Sequence, residues 1–114
     1  MDKSVPGVTV WRMTPGEPMA NPMGVVQGGF LAAFADSSMA TATVTNLQGR
    51  KAYTANTEMK ISFLRGATVG ETLTCTARVI GGGKRVTFVE AEVTDTSGRL
   101  IAKASSTYLL TPRD

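Results

Sequence analysis

Between Glu17 and Arg50 the chain carries one charged side chain, Asp36, set in a run of apolar and small residues, MGVVQGGFLAAFADSSMATATVTNL. Only this run has the length and the missing turn signals of a long helix, so the rest of the chain has to be built around it. The pattern predicts a helix over about 25–46, opening near Gly28-Gly29. Phe30 and Phe34 fall four apart on one face, as do Leu31 and Ala35. Ala32, Ala33, Ala35, Ala40 and Ala42 keep the helix thin enough for a sheet to wrap it. Thr41, Thr43, Val44 and Thr45 weaken the last turns, and Leu47-Gln48-Gly49 supplies a glycine stop. A lone carboxylate in such a segment costs several kcal/mol to bury unless it is paired or hydrogen-bonded. Asp36 is therefore a candidate site residue. The structural alternatives are a cap on a neighbouring backbone group or a place at a subunit interface.

The remainder reads as β. Val8–Met13 is a short run ended by Thr14-Pro15-Gly16, and a loop with Pro18 and Pro22 leads to the helix. Strands are predicted over 53–63, 71–80, 85–95 and 100–110, with Thr96-Ser97-Gly98 as a hairpin turn. Val89, Ala91 and Val93 alternate with Glu90, Glu92 and Thr94, the mark of a strand with one buried face. The order β-α-β-β-β-β points to one α+β domain over 1–114, with an antiparallel sheet of about five strands curled around a central helix. Edge strands in such a sheet, and a charged content of only 18%, suggest that part of the surface is hidden in a homo-oligomer.

Composition removes several function classes. The net charge is +3, but the basic residues are scattered, with Arg50-Lys51 and Lys84-Arg85 the adjacent pairs, and no aromatics interleave them. Nucleic acid is not the expected partner, whereas a small anionic ligand suits the mild positive field. One cysteine allows no intrachain disulfide and fits a reducing cytoplasm. Cys75 alternates with Leu73 and Ala77 and is expected to be a small buried apolar residue. MDKSVPGVTVW lacks the apolar core of a signal peptide and no run is long enough to span a bilayer, so a cytoplasmic protein without membrane contact is expected. The chain has no histidine. A usual zinc site, a Ser-His-Asp triad and a Cys-His pair are thereby removed, and a general base has to be Asp, Glu or Lys.

Asn21-Pro22-Met23-Gly24-Val25-Val26-Gln27-Gly28-Gly29-Phe30, followed by Asp36, resembles the signature of hotdog-fold acyl-CoA thioesterases of the phenylacetate-pathway and 4-hydroxybenzoyl-CoA type. In that family an Asn stands six positions before a His-Gly-Gly, and an acid nine positions after the His. Here Asn21 and Asp36 hold those places around Gln27. Ile61-Ser62-Phe63-Leu64-Arg65, Gly70-Glu71, Gly83-Lys84-Arg85 and Asp95-Thr96-Ser97-Gly98-Arg99-Leu100-Ile101-Ala102 continue the resemblance, which runs from about Met13 to Leu110.

The resemblance implies a metal-independent thioester hydrolase working on acyl-CoA or aryl-acyl-CoA, with no cofactor beyond the coenzyme A carried by the substrate. It implies a site shared across a dimer interface, in a dimer or a dimer of dimers. Gly28 would be the backbone oxyanion donor, with Gly29 allowing close approach; a tight entry into the helix is the alternative. Asp36 would be nucleophile or general base. Asn21 would position the water or the carboxylate, or else simply turn the chain before Pro22. Thr54 falls where the family often has a supporting Ser or Thr. Gln27 replaces the usual His, and can donate and accept hydrogen bonds in its stead. Lys84 and Arg85, with Arg65, are the candidates for the coenzyme A phosphates, since Gly81-Gly82-Gly83-Lys84-Arg85 lacks the spacing of a phosphate-binding loop. Met19, Met23, Met39 and Phe30 are candidates for the acyl pocket. The alternative function is a hotdog module that binds acyl-CoA without cleaving it, and hydratase chemistry on this fold is set aside for want of a histidine.

Overall fold

The segment around Asp36 folds as one helix, α1 (Gly28–Asn46), in a computed structural model that describes residue 2 and residues 5–113. The helix starts three residues later than the sequence pattern suggests because Val25 and Val26 are drawn into bridges. Val25 pairs with Thr68 and Val26 with Ala20, and the Val26 N–H donates to the Ala67 carbonyl at 2.8 Å. At the far end the left-handed exit begins one residue before the expected glycine, with Gln48 at φ 48° and Gly49 at φ 91°.

Five strands surround it: β1 (Val8–Met13), β2 (Ala52–Phe63), β3 (Leu73–Gly82), β4 (Val86–Thr94) and β5 (Leu100–Pro112). A single 3₁₀ turn, Glu17–Met19, precedes α1. The curled sheet is antiparallel throughout, in the order β1-β3-β4-β5-β2. β3 begins at Leu73 because Glu71 is held in a turn by Thr68, whose hydroxyl donates to Glu71 Oε2 at 3.2 Å. β5 continues to Pro112 because Ala52 still pairs with it.

The core lies between α1 and the concave face of the sheet. Leu31, Phe34, Ala35, Met39 and Ala42 of the helix pack on Leu73, Cys75, Ala77, Val89, Ala91, Val93, Ala102, Ala104 and Tyr108. Alanines on both surfaces bring helix and sheet close together, as the small-residue run requires. Cys75 is fully buried. Burial pushes its thiol up to about 11, a poor nucleophile at neutral pH, against a weaker opposing effect of its hydrogen bond with Ser38. β1 and β2 are the edges of the sheet. Among the described residues no helix is long and apolar enough to cross a membrane.

Candidate active site

Two parts of α1 hold the residues that the sequence singles out. At its start, Gln27 is extended (φ −66°, ψ 142°) and its carbonyl accepts the N–H of Phe30 at 3.1 Å and of Leu31 at 3.4 Å. The N–H groups of Gly28 and Gly29 have no partner among the described residues. Such first-turn amides are the orphan donors of a helix and sit at the positive end of its dipole. A Cβ at 28 would lie 2.9 Å from the tip of the Phe63 ring, an exposed side chain that would have to swing aside. At Gly29 a Cβ would meet nothing within 4 Å, so the space beside its Cα is open. A cleft lined by Val25, Gly28, Leu31, Phe63, Arg65 and Ala67 adjoins this end.

Eight residues along the helix stands Asp36. It is half-buried in the single chain, more open than the sequence pattern suggests. The Tyr108 hydroxyl donates to Asp36 Oδ1 at 2.6 Å, and Asn56 Nδ2 donates to the same oxygen at 3.0 Å. Oδ2 takes no hydrogen bond from the described residues, and no lysine or arginine among them pairs with the carboxylate. Tyr108 is 2% exposed. Burial first, then the adjacent carboxylate, holds its phenol far above the ordinary value, so it stays a proton donor.

The other sequence candidates separate. Asn21 Oδ1 accepts the N–H of Met23 at 2.9 Å and of Val25 at 3.1 Å, so its side-chain oxygen is used in the turn ahead of α1. Gln27 is exposed, and its side chain caps nothing. Thr54 pairs with Leu110, two pairs along from Asn56–Tyr108, and is half-buried with no side-chain hydrogen bond among the described residues. The structure thus sets Asn56, two residues further on, against Asp36. Arg65 lines the cleft beside Gly28. Lys84 and Arg85 form the exposed turn between β3 and β4, near Asn46, at the opposite end of α1. Met19 and Phe30 border an apolar cleft with Trp11, Met13 and Phe34. Met39 is fully buried in the core and Met23 is 87% exposed, so neither joins that cleft. Sequence reasoning missed Asn56 and Tyr108; the available signal was a polar side chain at an inward position of a strand.

Residues 23–102 match the model of the thioesterase superfamily. Human acyl-coenzyme A thioesterase 13 is 29% identical over 105 residues, covering 91% of this chain and 74% of that protein. The Escherichia coli PaaI protein from the phenylacetic acid degradation operon superposes with a TM-score of 0.84 at 27% identity, over 91% of this chain and 72% of that one. A Streptococcus mutans UA159 protein solved bound to acetyl CoA shares the fold, with a TM-score of 0.83 at 22% identity over 94% and 83% of the two chains. The family match runs from the loop ahead of Gly28 into β5 and so takes in both chemical parts of α1: the chain belongs to the thioesterase superfamily, with its hotdog fold.

Proposed function

We propose that the protein hydrolyses acyl-CoA or aryl-acyl-CoA thioesters to the free acid and coenzyme A. The observation that carries this reading is a carboxylate, Asp36, anchored through one oxygen with the other left open, in a superfamily chain whose human relative is an acyl-coenzyme A thioesterase. The Gly28 and Gly29 amides donate to the oxyanion that forms as the carbonyl is attacked. Asp36 supplies the attack, either directly on the carbonyl carbon or by drawing a proton from water.

One chain does not bring these parts together. Eight residues of helix separate Gly28 from Asp36 by about 12 Å along the axis, too far for both to act on one carbonyl. The free edge of β2 and the uncharged outer side of α1, with Phe30 and Val44 exposed, are the surfaces on which a second copy completes the site. With two helices antiparallel, Asp36 of one copy meets the Gly28 end of the other. The Arg65 cleft beside Gly28, with the Lys84-Arg85 turn of the other copy about 15 Å beyond it along the helix, is the candidate place for the coenzyme A phosphates. The apolar cleft of Trp11, Met13, Met19, Phe30 and Phe34 offers the acyl group a home.

Gln27 favours a second reading, an acyl-CoA-binding module, because it stands in place of the family's histidine with its side chain unbonded. Steady-state release of coenzyme A from short, medium, long and aromatic acyl-CoAs decides between the two. Release that disappears in Asp36→Asn supports hydrolysis. Saturable binding of the same thioesters by the wild type without release supports the module.

A further inference from the structure

Asn56 and Tyr108 are direct cross-strand partners on β2 and β5, so both side chains emerge on the sheet face that meets α1. The pairing register shifts between Asn56 and Glu58, a β-bulge. Within the bulge the Glu58 N–H donates to Asn56 Oδ1 at 3.0 Å. That bond fixes the amide: its oxygen faces the bulge and its nitrogen faces the helix. Asn56 Nδ2 then reaches Asp36 Oδ1 at 3.0 Å and Ser106 Oγ at 3.3 Å. Tyr108 donates to the same Oδ1 at 2.6 Å, and its hydroxyl also lies 3.1 Å from the Asp36 carbonyl oxygen. The shorter contact is in the range of a charge-assisted O–H···O bond. Exchanging the two carboxylate oxygens would require both donors to let go. Bulges of this kind commonly re-aim a side chain beside an active site.

We infer that Asn56 and Tyr108 are positioning residues, a two-donor clamp aimed by the β2 bulge, which presents only Oδ2 of Asp36 to water or to the thioester carbon. The inference rests on the hydrolytic role proposed for Asp36. In the general-base form of the step, Oδ2 takes a proton from water as the water oxygen bonds to the acyl carbon. The C–S bond then breaks, and the proton passes from Asp36 to the departing thiolate of coenzyme A. Tyr108 keeps its own proton throughout. No other charged group shares the clamp: Asp36 is the one charged residue of α1, Asn56 and Ser106 are neutral, and no cation of the described residues pairs with it.

Tyr108→Phe and Asn56→Ala in the full chain are expected to lower kcat about ten- to hundred-fold each, the range of a lost bond to a charged group, with KM within about two-fold of wild type. Introduced into Asp36→Asn and read in single turnovers, neither is expected to lower the residual rate further. Equal losses in both backgrounds, or a loss carried by KM, would overturn the clamp. Proton NMR gives a reading free of turnover. A slowly exchanging, downfield hydroxyl resonance is expected in the wild type, shifted upfield in Asp36→Asn and absent in Tyr108→Phe. A hydroxyl resonance indifferent to Asp36→Asn contradicts the clamp even if no acyl-CoA is cleaved, while a wild type that cleaves none with the resonance intact contradicts the hydrolase reading alone.

Discussion

The middle and the start of α1 are built in opposite ways. At Asp36 the chain supplies every contact to one carboxylate oxygen, from β2 and from β5, before any substrate arrives. At Gly28-Gly29 the described residues supply none: two amides have no partner among them, the space beside the Gly29 Cα is open, and the Gln27 side chain caps nothing. The difference separates what one chain organises by itself from what it would leave to substrate and, in the proposed dimer, to a second copy. A charged group is costly to leave unpaired, so it is wired internally. Helix-start amides lose little by waiting in solvent, and gain their value when an oxyanion forms in a dry site.

The largest effect is expected at the wired part. Asp36→Asn keeps the shape and the Asn56 donor but removes the charge, and should lower turnover by about 10³-fold or more while coenzyme A binding by calorimetry and thermal unfolding stay close to wild type. At the open part, Gly28→Ala puts a Cβ into the Phe63 ring. It is expected to cost about 10²-fold in turnover, the scale of a misplaced oxyanion donor, with little change in denaturant unfolding because the exposed ring can swing aside.

Gly29→Ala sharpens the contrast, because nothing in the chain opposes its methyl group. It should be neutral or stabilising by up to about 1 kcal/mol, as alanine is the better helix former, while slowing turnover by standing where the carbonyl approaches. Activity equal to wild type in Gly29→Ala would mean that the carbonyl does not approach from that side.

The smallest effect lies away from both parts. The Cys75 thiol is raised by burial from 9.0 to about 11 in the fold. Its contribution to stability is complete below pH 9 and is lost as the pH rises through about 11, because the unfolded thiol ionises first. Cys75→Ala should flatten that part of the stability profile in denaturant titrations.

Much of this fold is legible in the sequence, for reasons that differ along the chain. The uncharged run around Asp36 could only be the central helix, and the alternation in β4 fixed which of its residues face inward. The strand ends were less legible, since Glu71 and Val25 are held by contacts from elsewhere in the chain rather than by their neighbours. In the site, Gly28 and Asp36 are seen because they share one helix and one register. Asn56 and Tyr108 lie 20 and 72 residues from Asp36, and only the sheet register sets them against it. Thr54 shares their face two pairs away, which is as near as local alternation could come. The Lys84-Arg85 pair and Arg65 are each readable as basic, but their placement at opposite ends of α1 follows from the topology alone.

The central claim is that a working site takes Asp36 from one copy and the Gly28 amides from another. It is tested most directly by mixing Asp36→Asn with Gly28→Ala under conditions that exchange subunits, then measuring release of coenzyme A. Each variant alone should be nearly inactive. In an equal mixture half of the dimers are hybrids, and one of the two sites in each hybrid is intact. The mixture should therefore regain about a quarter of wild-type turnover, the arithmetic of a shared two-fold site. Activity that stays at the average of the two separate variants would show that each chain works alone, and would contradict the account.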